Sequence, residues 1–411
     1  MKKIIIMTGI IILGLFITLQ PSIMETKNKN YNIYIKEGNT YVKQSSGVFP
    51  TTGYTLNLTE SSCTGGGTLN QSPSGKINLS TSGTEKCDLY FDQNAVGTIL
   101  NIVGDADPTS TAVITKTAPT GATCTNTLAY DGTTDNNLRY VGADPCNYVT
   151  FNNELWRIIG AMSNIDDGNG KLQYRIKLMR NTGLEKYSWD ASSANSYDGM
   201  NNWPDSDLQK ELNGDYLDTT LTANTNWAVE DGQYPYDYTQ GLGSTAQNLI
   251  SNAKWFLGGS NTNLSTVNSF YAAERGTTVW GSSSGQTCND GYCPRATEWI
   301  GKVALIYPSD YGFAVGGSVR NTCLSTNLYS YNTNNCYTNN WIYISNNSND
   351  QLTLTSVSSE ASGVFKLRNN GSIETSLVIY SNTESHPVVY LNSDVKITGG
   401  NGTSTNPYTL G

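Results

Sequence analysis

Asn147-Tyr148-Val149-Thr150-Phe151-Asn152-Asn153-Glu154-Leu155-Trp156-Arg157-Ile158-Ile159-Gly160 is the stretch on which the reading of the fold turns. Tyr148, Val149 and Phe151 are strand formers, and so is the run Leu155 to Ile159. An Asn pair between two such runs is the mark of a tight hairpin. Every tryptophan of the chain lies at or after Trp156, so this hairpin reads as the first strand pair of a large domain. Glu154 and Arg157, three apart on a strand, point to opposite faces and are not expected to pair.

The chain around this hairpin has 411 residues, of which 14% are charged, against roughly 25% in an ordinary soluble domain. Ser, Thr, Asn and Gly fill the difference, with 26 tyrosines. A neutral polar surface of this kind suits a secreted β-rich protein. The net charge of −9 and the lack of Lys/Arg clusters beyond Lys2-Lys3 argue against nucleic-acid binding, which needs grouped cations to neutralise phosphates.

Lys2-Lys3 is followed by an uncharged apolar run from Ile4 to Leu19. A basic start and an apolar core make an export signal. The run is shorter than the roughly 20 residues that comfortably span a bilayer, and no small-x-small cleavage site is evident. Residues 1–26 are therefore expected to be a signal peptide or a signal-anchor that tethers the protein to the membrane, with the rest of the chain on the extracellular side.

The eight cysteines form four sequence-local couples. Roughly a hundred pairings are possible in principle, and the clustering favours Cys63–Cys87, Cys124–Cys146, Cys288–Cys293 and Cys323–Cys336. None has C-x-x-C spacing and the single histidine, His386, is remote, so no metal site and no cofactor are expected. Disulfides imply an oxidising compartment.

Along the chain, residues 27–50 read as a stalk that begins a strand. Residues 51–92 read as a small β-sandwich-like domain with strands near 54–58, 76–80 and 87–91. Residues 93–120 read as a linker in which Ala95–Ile102 could form a short helix or strand. Residues 121–411 read as the main domain. There Leu172–Met179 alternates as a strand after a polar turn at Asn164–Gly170, which lacks EF-hand spacing. Ser206 with Gln209 starts a helix ended by Gly214, and Ser244 with Gln247 starts a second one expected to run through Leu249, Ala253 and Leu257 to Gly258. Trp299–Ile306 reads as one apolar strand, with further strands at Val364–Leu367, Ile373, Leu377–Tyr380 and Pro387–Leu391. The fold class is α+β, mostly β. Trp156, Trp255 and Trp299 belong to the core.

The segments AYDGTTDNNLRYVGADPCNYVTFNNELWRIIG (129–160), ERG (274–276), WIGKVALIYPSDYGFA (299–314) and HPVVYLNSDVKITGGNGTSTNPYTL (386–410) resemble a recurrent set in bacterial cell-surface proteins. That resemblance implies a location and no established activity. More distantly, the order of elements is similar to C-type-lectin-like and formylglycine-generating-enzyme-like folds, in which an early strand precedes two helices and long loops, and a last strand returns beside the first. The calcium-site triplets of the lectins are missing from the large domain, and the cysteines are expected in bridges, so neither family's chemistry carries over.

The candidate recognition residues are aromatics expected on stapled loops: Tyr271, Trp280, Tyr292, Tyr329 and Tyr331. Aromatic side chains offer contact area at low entropic cost. Glu274-Arg275 reads as an internal ion pair, Asp310 as a turn cap and His386 as lacking a nucleophile partner. No catalytic residue is assigned. The expectation is an exported recognition or adhesion module for an extracellular glycan or surface protein. The alternatives are an extracellular enzyme on glycans or peptides, which would show two converging carboxylates for glycan cleavage, and a purely structural envelope component.

Overall fold

The computed structural model describes residues 31–37, 40–45, 49–50, 52–71, 77–80, 86–184, 186–190, 200–217, 241–277, 295–343, 349–378, 380 and 383–411. The described residues are mostly β, with 39% strand and 18% helix. It divides into two compact units, Met1–Thr51 with Leu56–Asp92, and Thr52–Thr55 with Gln93–Gly411.

In the smaller unit the strand Tyr31–Glu37 pairs antiparallel with Thr40–Lys43 and parallel with Cys87–Gln93. Part of the expected stalk is therefore sheet. Ile33, Leu89 and Phe91 alternate onto one buried face, while Tyr34 stacks on Tyr90 across the strands at 4.6 Å on the other. Cys63 stands opposite Cys87 in register and is bonded to it. Leu69–Leu79 pairing makes a separate hairpin of Thr68–Gln71 with Ile77–Ser80.

The larger unit is organised on the long strand Glu154–Asp166. Asn152 and Asn153 both have positive φ, 56° and 57°, the backbone of the hairpin turn whose twist matches its flanking strands. The Asn152 carboxamide also bridges Gly241 O and Gly243 N. A bulge between Ile158 and Gly160 lets the strand cross close to its neighbour: a Cβ on Gly160 would sit 2.2 Å from Leu138 O. Across the main sheet the order is 303–304, 388–390, 172–180, 154–166, 138–140, 126–130, 114–116, with 148–151 joined to 408–410 at the end of the long strand. A second sheet orders 186–187, 383–384, 350–356, 363–367, 373–377.

Six α-helices accompany the sheets among the described residues. Helix α1, Ala95–Val103, begins at Asn94, whose side chain accepts from Gly97 N, and packs on strands 154–166 and 172–180 with Ile99 and Val103 buried. Residues 93–120 are thus no linker: they supply a core helix and the edge strand Ile114–Lys116. Helix α2, Asp207–Asn213, starts as expected at Ser206, which accepts from Gln209 N. Helix α3 covers only Ser244–Leu249. The chain then turns into the strand Ala253–Phe256, paired with Glu298–Gly301, because Ala253 and Trp255 alternate inward there and apolar spacing alone does not separate the two periods. Helices α4 (Val267–Glu274), α5 (Pro308–Phe313) and α6 (Arg320–Ser325) follow. The expected strand Trp299–Ile306 is broken at Lys302 into 298–301 and 303–304. No helix among the described residues is long and apolar enough to cross a membrane; the apolar leader lies outside them.

Candidate functional site

The strand Leu172–Arg180 is buried on both faces from Arg175 onward. Ile176 and Leu178 enter the apolar core, and Lys177 on the opposite face must find partners there. Its Nζ lies 2.5 Å from Asp310 Oδ2 and 4.6 Å from the Tyr307 ring centroid, with Trp255 and Tyr390 rings at 5.4 Å. Arg139, on strand 138–140, donates through Nη1 to Asp310 Oδ1 at 2.7 Å and through Nε to Asp131 Oδ2 at 2.8 Å. Asp131 is held in turn by Thr133 and Asn137.

Asp310 sits at the third position of α5, and its Oδ2 accepts from Tyr307 N. The carboxylate therefore caps its helix and also compensates two cations. Burial alone would raise its pKa, but Lys177 and Arg139 outweigh burial and hold it at about 2. Burial lowers the Lys177 amine to about 8 against the pull of Asp310. The two directions agree once desolvation is counted: the pair attracts, and the amine, ringed by aromatic faces, loses more hydration than one carboxylate restores.

Glu274, at the end of α4, is fully buried and accepts from Ser309 N at 3.0 Å and from the Ser309 hydroxyl. Burial raises its carboxyl to about 7. The neighbouring Arg275 lies across the Tyr271 ring at 3.5 Å and donates to Asp135 at 3.2 Å; its Nη1 is 3.9 Å from Glu274. The cavity bounded by Arg139, Lys177, Arg275, Tyr307, Asp310 and Tyr390 is about 10 Å³, room for a single water. This charged hub ties three strands to α4 and α5. Chemically it can hold a proton on Glu274 near neutrality and fix Lys177, but it has no space for a substrate as it stands.

The residues expected on recognition loops fall into different places. Tyr271 is on α4, 6% exposed, and its hydroxyl donates to Asp135. Tyr331 is fully buried against Tyr311 at 5.5 Å, with its hydroxyl on Cys323 O. Both are corrections: Tyr271 shares the buried face of α4 with Val267 and Phe270, and the polar sequence around Tyr331 does not say which way its ring turns. Tyr329 alone of the described candidates reaches solvent, 43% exposed on the short turn Leu328–Ser330. Trp280 and Tyr292 lie outside the described residues. His386 is buried, its Nδ1 3.1 Å from Arg180 O. Glu154 pairs with Arg180 at 2.7 Å, and Arg157 goes instead to Asn147 and the face of Tyr148. Trp156 and Trp255 are core, and Trp299 is partly buried against it.

Three of the four expected disulfides are formed: Cys63–Cys87, Cys124–Cys146 and Cys323–Cys336. Cys288 and Cys293 lie outside the described residues. Among those residues no group of three or more His, Cys, Asp or Glu is gathered as a metal site.

No family model, curated protein or solved structure matches this chain.

Proposed function

We propose that the chain is an exported bacterial cell-surface protein that works by recognition at its stapled surface, with an extracellular glycan as the favoured partner and a surface protein as the other. The observation that carries this reading is the Cys323–Cys336 loop. Residues 321–343 contain no Asp, Glu, Lys or Arg, and they present Tyr329 to solvent while Leu328 and Tyr331 on either side anchor the turn. Leu264, 62% exposed, lies beside this turn, because Leu328 N donates to Ser265 O. The strand Ile373–Leu377, with exposed Leu377, packs along the turn as well. An uncharged surface rich in Asn, Ser and Thr around an exposed aromatic ring complements a neutral polyhydroxylated ligand better than a charged one.

The three disulfides support maturation in an oxidising compartment, and the apolar leader supports export. The lectin-like order expects a late strand directly beside the first, and that detail is not met. The late strand Val388–Tyr390 returns beside Leu172–Arg180, one strand removed from Glu154–Asp166.

The test is a glycan and surface-protein binding screen with the chain matured in an oxidising host, run in parallel with Tyr329→Ala. Binding that the substitution weakens at least tenfold is expected. Turnover of peptidoglycan by the chain, with no ligand found in the screen, overturns the reading.

A further inference from the structure

Among the described residues, Arg295 is the buried cation with two side-chain nitrogens left without a hydrogen-bond partner. It is 7% exposed and appears in none of the ion pairs of those residues. Arg139, Lys177 and Arg180 each meet a carboxylate. Arg175 donates through both terminal nitrogens, to Leu391 O and Gln173 Oε1. Arg320 donates to the carbonyls of Thr111, Phe313 and Val315, so that Arg175 and Arg320 each leave a single nitrogen, Nε and Nη2 respectively, without a partner. The guanidinium of Arg295 uses Nη1 alone, donating to Asn201 Oδ1 at 3.0 Å and Val357 O at 3.1 Å. Asn201 is itself locked by three carbonyls, Val357, Glu360 and Gly363, so the plane of the guanidinium is fixed. Nε and Nη2 are buried with no hydrogen-bond partner among the described residues.

Those two nitrogens share one edge of the guanidinium, where their N–H bonds run parallel and match two oxygens of one oxyanion. A buried charge without a counter-ion is costly, and a buried donor without an acceptor calls for an explanation such as a bound ion. Burial alone, with no carboxylate to oppose it, lowers the group only to about 10, so it is still a cation at neutral pH.

We propose that the Nε–Nη2 edge of Arg295 is an anion-binding site for a two-oxygen ligand: a carboxylate, free or carried on an acidic sugar, or a sulfate-type oxyanion. The site does not use Tyr329, and its failure leaves the recognition reading untouched. Asn201 sets the orientation, and Arg295 supplies both charge and fork.

The experiment is thermal unfolding of the oxidised full chain in sulfate, acetate or glucuronate against chloride at matched ionic strength. Because sulfate stabilises many proteins by exclusion, the readout is the difference between wild type and Arg295→Gln. At about a hundred times Kd the wild type is expected to gain about 5 °C over Arg295→Gln, while Arg368→Gln, which removes a cation already paired with Asp350 and Glu374, keeps the full response. A glucuronate response at tenfold lower concentration than acetate identifies a sugar-borne carboxylate; equal responses identify a free anion. An identical shift in Arg295→Gln, or none in the wild type, overturns the site. Should Arg295→Gln fail to fold, crystals of the wild type soaked in selenate decide: an anomalous peak within hydrogen-bond reach of Nε and Nη2 supports the site, and its absence sinks it.

Discussion

Removing the anion and removing one cation of the buried hub are not equivalent, and the hub's geometry sets the size of the difference. Asp310 faces Lys177 at 2.5 Å and Arg139 at 2.7 Å, all three groups almost wholly buried. In Asp310→Asn, Lys177 loses its carboxylate and Arg139 keeps only Asp131. An uncompensated buried charge costs about 3–5 kcal/mol, and the amide also loses strength as the cap of α5. In Lys177→Met, Asp310 keeps Arg139 and the Tyr307 amide, and an apolar chain of similar length enters the space between Tyr307, Trp255 and Tyr390. Losing one partner of a buried pair is costly in general, but here Asp310 retains a direct cation and a backbone donor and the desolvation of the Lys177 amine is relieved, so the expected loss is smaller, about 1–2 kcal/mol. Urea unfolding of each variant with disulfides intact, followed by tryptophan fluorescence, measures both. The pH dependence sharpens the contrast. The Asp310 contribution is present above about pH 4 and lost as pH falls toward its folded value of about 2. Lys177, lowered to about 8 from a usual 10.5, binds fewer protons folded than unfolded between those values, so stability rises with pH across that window, and the rise should vanish in Lys177→Met. If Lys177→Met is as damaging as Asp310→Asn, or keeps the alkaline rise, the account of the hub is wrong.

Glu274, raised from 4.5 to about 7 by burial, favours the fold while protonated. That stability is lost as pH climbs between those two values, and Glu274→Gln should flatten the slope in a pH series of melting temperatures. Cys323→Ala with Cys336→Ala opens a loop of separation 13 and is expected to cost about 3 kcal/mol, read by denaturant titration; a loss under about 1 kcal/mol would mean that the loop is held by Leu328 and Tyr331 alone. Asn153, at φ 57°, should tolerate Gly, whereas Asn153→Val is expected to cost about 1–2 kcal/mol, because a branched side chain resists the left-handed region. A non-reducing peptide map should recover Cys288–Cys293 alongside the three formed bridges, and any crossed pair would contradict nearest-neighbour pairing.

The sequence alone determined whatever depends on near neighbours. The Asn152-Asn153 turn, the Ser206 cap and the pairing of nearby cysteines are local, since turn dihedrals, cap bonds and short loop closures involve residues close together in the chain. Whatever depended on a covering layer was left to tertiary structure. Alternation in Leu172–Met179 announces a strand, and by itself implies one wet face. Lys177 is dry because α5, more than a hundred residues later in the chain, lays Asp310 over it. Tyr329 and Tyr331 stand two apart in equally polar sequence, and only packing turned one out and the other inward. Residues 93–120 look like a linker until Ile99 and Val103 find the strands they cover. The same reason holds for the site: Arg295 is one arginine in a polar run until Asn201 and Val357, from distant parts of the chain, fix one edge of it and leave the other without a partner among the described residues.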